Sequence, residues 1–177
     1  MTKDKQAAIS GVEKKAALIG EVADCIWDYA ELSLQEERSA AKYCAVLEAE
    51  GFTVERGICS IPTAFSASYG SGRPVIGLLA EYDALSGMSQ KAGSVEREET
   101  VPGGNGHGCG HNLLGAGAMA AALGVKAWLE QTGNPGTVIL YGCPGEEGGA
   151  AKAFMAREGV FDELDAGNEY WGTEVTL

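Results

Sequence analysis

The stretch Val75-Ile76-Gly77-Leu78-Leu79-Ala80-Glu81-Tyr82-Asp83 decides the fold, together with two later segments: an Ala-rich run from Asn112 to Gln131, then Thr137-Val138-Ile139-Leu140-Tyr141. Both aliphatic runs are short, continuous and apolar, as expected of strands buried on two faces. The run between them has helical length and composition. Strand, helix, strand in that order predicts a βαβ unit with parallel strands and a right-handed crossover. The fold class expected is α/β, a mostly parallel sheet flanked by helices. In such sheets, ligands bind beyond the carboxyl ends of the strands.

Outward from this unit, Ile9, Val12, Leu18, Ile19, Val22, Ile26 and Tyr29 recur at helical spacings and predict one helix over Lys5 to Ala30. A second helix is expected from Gln35 to Glu50, stopped by Gly51. Strand-like runs occupy Phe52 to Ile58 and Thr63 to Tyr69, with a turn at residues 70–74. Ser86 to Gly108 reads as a long loop, and long loops in compact domains are often functional. Gly133 to Gly136 is a turn, Pro144 to Gly149 a second glycine-rich loop, and Ala150 to Glu158 a last helix.

The chain has 177 residues, 45% hydrophobic and 21% charged, which fits one globular domain with a sizeable core. Lys+Arg number 13 against 25 Asp+Glu, a formal net charge of -12. That balance argues against nucleic acid and anionic membranes as partners, and it suits cationic ligands, metal ions included. No run is expected to reach the ~20 apolar residues of a membrane span. Met1 to Gln6 lacks the apolar stretch of a signal peptide, so the expected compartment is cytoplasmic. The cysteines (Cys25, Cys44, Cys59, Cys109 and Cys143) are odd in number and scattered. They predict no disulfide framework, and four of them are expected as small core residues.

Three polar clusters fall at the carboxyl edge of the βαβ unit: Glu81-Tyr82-Asp83, His107 to Asn112, and Glu146-Glu147. His107, Cys109 and His111 lie within five residues, flanked by glycines, and are the chain's two histidines plus a thiol. Thiolate and imidazole are good ligands for zinc and similar ions. The bland alternative is a turn with incidental histidines. Glu146-Glu147 comes after the second buried strand. One carboxylate of such a pair can bind metal while the other acts as general base on water; the bland alternative is a solvated helix start. Asp83 reads either as the partner that orients a ligating imidazole or as a strand-end turn residue. Gly115-Ala116-Gly117-Ala118-Met119-Ala120 matches GxGxxA, but it comes after a His/Gly loop rather than a strand, and close helix packing explains it better than a dinucleotide. A closed structural metal site or redox module built on Cys109 would want four ligands.

These residues occur in a recognisable combination. GHGCGHNLLG at 106–115 with CPGEEGGAAKAFM at 143–155, together with LSLQEERSA, GFTVERGICSIPTAF and YGSGRPVIGLLAEYDAL, resembles the metal-dependent amidohydrolases of the M20 peptidase family, in particular the aminobenzoyl-glutamate utilisation branch and its B-type subunits. The resemblance covers residues 10 to 166. It implies a two-metal site, zinc or manganese, with Cys109 bridging the ions, His111 and Glu147 as further ligands, Glu146 as general base and Asp83 as support; His107 is an additional candidate. The metals would polarise an amide carbonyl and activate water. The substrate implied is an N-acyl or N-aroyl amino acid or a dipeptide.

The sequence departs from that pattern at Ser86, where relatives usually have Pro, and at Gly145, where they have Ala. No His occurs after His111, and Gly167 to Leu177 does not resemble the expected continuation. The division expected is therefore 1–166 as the N-terminal part of an M20-type catalytic domain, without a lid domain, and 167–177 as a divergent tail. The ligand set is incomplete, and activity of the isolated chain is expected to be low or absent. The alternative is a non-catalytic metal-binding subunit completed by a partner chain; a homodimer is a further form of assembly.

Overall fold

Two helices form where the periodicity predicts one. In the computed structural model, which describes residues 2–168, α1 (Lys3–Lys14) and α2 (Ala16–Tyr29) are separated at Lys15, whose backbone leaves the helical region. The Lys15 N–H turns back to the Val12 carbonyl, and its ammonium pairs with Glu50 at 2.6 Å. The break allows both halves to pack on one long helix, α4 (His111–Thr132), an arrangement that periodicity alone does not reveal. α3 (Glu37–Ala49) ends as expected at Gly51, which takes the left-handed conformation.

The strands are β1 (Thr53–Arg56), β2 (Phe65–Ser71), β3 (Val75–Ala80), β4 (Gly136–Gly142) and the two-residue β5 (Ala166–Gly167), which has no counterpart among the expected elements. Their order in the sheet is β1-β2-β4-β3-β5. β3 pairs parallel with β4, as the βαβ reading requires, and also with β5; β1–β2 and β2–β4 are antiparallel. The sheet is therefore mixed, not mostly parallel. A parallel neighbour needs a long crossover. The described chain supplies one between β3 and β4, whereas the short turn Ile58–Ser60 returns β1 to β2 antiparallel.

α4 (His111–Thr132) fills that crossover. Contrary to expectation, its length and apolarity meet those of a membrane span, because Ala and Leu dominate it; half of that window is buried inside the protein. Ala118, Met119, Ala122 and Leu123 pack with α2, α3 and one face of the sheet, and Val138 and Leu140 of β4 point to that face. Ile139 and Tyr141 alternate to the other face, onto Met155 of α5 (Ala151–Arg157), Phe161 and Leu164. All five cysteines are free. Cys44 and Cys143 are buried; Cys25 and Cys59 are only half-buried, which corrects the expectation of four core cysteines. Of the expected tail 167–177, Gly167 lies in β5, and residues 169–177 lie outside the described residues.

Candidate functional site

Three chain segments meet beyond the carboxyl ends of β3 and β4. Glu81-Tyr82-Asp83 continues from β3, Pro144 to Ala150 leaves β4, and His111 opens α4 after the 86–108 loop. That loop is irregular apart from a bridge between Leu85 and Gly106. Gly145 and Gly149 let the glutamate loop fold tightly. Gly145 has φ +67°, and a Cβ on Gly149 would stand 2.8 Å from the Leu34 side chain.

His111 is the centre of the arrangement and is almost wholly buried. Its Nδ1 lies 2.9 Å from Asp83 Oδ1 and 3.0 Å from the Asp83 carbonyl oxygen. Both are acceptors, so Nδ1 carries the proton and donates. Nε2 faces carboxylates: Glu81 Oε2 at 3.2 Å, Glu146 Oε2 at 3.7 Å and Glu147 Oε1 at 3.9 Å. An imidazole fixed by a carboxylate at one nitrogen with the other turned to oxygen donors is the usual form of a histidine metal ligand. Asp83 is held in turn by Ser33 Oγ–H at 2.8 Å and by the Glu147 N–H at 3.0 Å, both to Oδ2.

Burial, hydrogen bonds and neighbouring charge together set the protonation states. Burial opposes the Asp83 carboxylate, but the hydrogen bonds from His111, Glu147 N–H and Ser33 outweigh it and hold its pKa below the usual range. For His111, burial favours the neutral ring, yet Asp83, Glu81 and Glu147 raise its pKa above the ordinary value. Glu146 is pushed up by burial and by the neighbouring Glu81 and Glu147 carboxylates. Cys109 is exposed; its hydrogen bond with the Glu147 carboxylate and the surrounding negative charge push the thiol to about 11. Without a cation this thiol stays protonated, and a coordinated metal reverses that.

The ligand atoms of His111, Glu146 and Glu147 lie within 4.8 Å of one another and fit a divalent cation by donor chemistry. A second observation agrees: Glu81 Oε2 is buried without a hydrogen-bond partner and is aimed at the same imidazole nitrogen. Cys109 stands outside the trio, joined to it through Glu147. His107 is set apart. Its Nε2–H donates to the Ile26 carbonyl at 2.9 Å, its ring lies near Trp27, and Nδ1 is buried without a partner. Burial holds its pKa below the ordinary value. Sequence reasoning does not single out Glu81 or Lys152. Lys152, in the first turn of α5, forms an ion pair with Glu81 and so ties the far end of the glutamate loop to β3. The only signal for Glu81 is the polar cluster at the end of β3, and Lys152 carries none.

Comparison with known proteins places these residues in context. The family model for peptidase family M20/M25/M40 matches residues 77–173. The B-type subunit of the p-aminobenzoyl-glutamate hydrolase of Escherichia coli is 59% identical over 146 residues, covering 82% of this chain and 30% of the relative. The Xaa-Arg dipeptidase of Mus musculus is 30% identical over 173 residues, covering 91% of this chain and 36% of the relative. The chain thus spans about a third of the length of these relatives. Among solved structures, a dinuclear metal binding peptidase of the M20 family from Bacillus subtilis matches with TM-score 0.63 and 25% identity, over 86% of this chain and 42% of that one. An aminobenzoyl-glutamate utilization protein from Klebsiella pneumoniae matches in fold, with TM-score 0.64, 15% identity, and coverage of 90% and 44%.

Proposed function

The chain belongs to peptidase family M20/M25/M40, and from that premise we propose that residues 1–166 are the N-terminal part of a metal-dependent amidohydrolase domain acting on N-acyl or N-aroyl amino acids or dipeptides. The observation that carries the reading is His111, locked to Asp83 through Nδ1 while Nε2 faces Glu81, Glu146 and Glu147. Cys109, His111 and Glu147 are the residues that would hold zinc or manganese, as two divalent ions. When bound, the ions supply a Lewis acid for the amide carbonyl and lower the pKa of water. Asp83 keeps the imidazole in one tautomer and one orientation. Glu146, raised in pKa by burial and by Glu81, accepts a proton from the attacking water and returns it to the leaving amide nitrogen. The names of the relatives, a p-aminobenzoyl-glutamate hydrolase subunit and a dipeptidase, support this substrate class.

A second reading, a metal-binding subunit completed by a partner chain, draws on the donor set. Two ions need more ligands than these three residues provide, and the E. coli relative is itself named as a subunit. One experiment tests the first reading and separates the two. The purified chain, loaded with zinc or manganese, is assayed for turnover of N-acyl amino acids beside Glu146→Gln. Turnover lost in the variant with metal retained supports the hydrolase. Equal turnover in both refutes Glu146 as base. Metal binding without turnover favours the subunit.

A further inference from the structure

Glu36 is fully buried, and among the described residues no lysine, arginine or histidine pairs with it. What surrounds it is a set of donors. The Gly145 N–H donates to Oε1 at 2.8 Å and the Thr63 hydroxyl to Oε2 at 3.2 Å, and the backbone N–H groups of Leu34 and of Glu36 itself also serve the carboxylate. Burial raises the pKa of Glu36, and the backbone N–H groups among these donors, that of Gly145 included, oppose the rise. A carboxylate kept in such a place has a local task, and the partners show which. Gly145 is buried and immediately precedes Glu146. Thr63 accepts, through its carbonyl, the Tyr82 hydroxyl at 2.7 Å, and Tyr82 lies between Glu81 and Asp83. The glutamate loop is therefore held at three points by three carboxylates: Glu36 at the Gly145 N–H, Asp83 at the Glu147 N–H, and Glu81 at Lys152.

We infer that Glu36 is a positioning residue: by accepting the Gly145 N–H it sets the start of the glutamate loop, so that Glu147 reaches Asp83 and both glutamates face His111 Nε2. The inference rests on the reading of Glu146 and Glu147 given above. Glu36 touches none of the candidate metal donors. Of the three carboxylates it is the one whose removal tests positioning without removing a ligand or the imidazole's partner.

Glu36→Met fills the space without an acceptor, and Glu36→Gln keeps one acceptor oxygen for Gly145. Amide hydrogen exchange is measured on the metal-free chain and both variants, and cobalt(II) affinity is measured by titration. In Glu36→Met the Gly145 and Glu147 amides should exchange at least about tenfold faster while Ile139 and Tyr141 of β4 keep their protection. Cobalt should bind about 10–100-fold more weakly, the range usual for residues that support ligands. Glu36→Gln should restore the Gly145 protection. Val22→Ala, which loosens the core away from the loop, should leave cobalt affinity unchanged. Unchanged exchange at both loop amides, opening of loop and β4 together, or equal behaviour of Met and Gln variants would overturn the inference. So would a cobalt loss matched by Val22→Ala. A parent chain that binds no cobalt speaks against the metal reading alone, and the exchange data still decide the role of Glu36.

Discussion

Two glycines two positions apart on α4 should respond oppositely to the same added methyl group. A Cβ on Gly115 would lie 2.3 Å from the Glu81 carbonyl oxygen and 2.5 Å from the Tyr43 hydroxyl; a Cβ on Gly117 meets nothing within 4 Å. The first contact is more than about 1 Å inside ordinary van der Waals separation. It falls on backbone and on a fully buried tyrosine, neither of which can swing away. Overpacking of this kind costs about 1–3 kcal/mol. Replacing glycine by alanine in a helix returns about 1 kcal/mol of backbone propensity. Gly115→Ala should therefore lose a net ~0–2 kcal/mol and Gly117→Ala gain up to ~1 kcal/mol. The propensity gain is common to both, so at about 2–4 °C per kcal/mol for a chain of this size the two melting temperatures should separate by roughly 2–12 °C, Gly115→Ala the lower. Calorimetry of the metal-free proteins measures this directly. Gly115→Ala also pushes the start of α4 from the end of β3, so His111 should move relative to Glu81. Equal melting temperatures for the two variants would refute the close approach of α4 to the Glu81 backbone.

In the metal-free chain, the His111–Asp83 pair should stabilise most between about pH 4 and 6.5. Asp83, lowered below 3.8, loses its contribution as pH falls through its folded pKa; His111, raised above 6.5, loses its contribution as pH rises through its folded pKa. Melting temperature against pH, parent beside His111→Asn, should show that window only in the parent. Lys152→Met leaves the buried Glu81 carboxylate without its cation and should cost about 2 kcal/mol, partly recovered by added zinc; no recovery would separate Glu81 from the metal site. Tyr82→Phe strands the Thr63 carbonyl and should lower the urea midpoint by the equivalent of about 1–3 kcal/mol at unchanged slope.

The sequence alone carried the βαβ unit, because two short apolar runs around an Ala-rich helix leave few other ways to bury them. It also carried the three polar clusters, since they sit where such strands end. His111, Glu146, Glu147 and Asp83 converge because those strand ends are neighbours. It could not carry the break at Lys15, where no proline or glycine marks a stop and the cause is packing on α4. Nor could it carry the antiparallel pairing of β2 with β4: pairing is a choice among distant partners, and β4 enters between β2 and β3 although those two are joined by a short turn. His107 and Cys109 look alike in the pattern, yet the fold sends one ring to the Ile26 carbonyl and leaves the other side chain beside Glu147. Glu36 and Lys152 read as ordinary charges on helices. What each does at the glutamate loop is set by one partner more than 70 residues away in the chain, and only the closed structure brings a buried carboxylate to the Gly145 amide or an ammonium to Glu81.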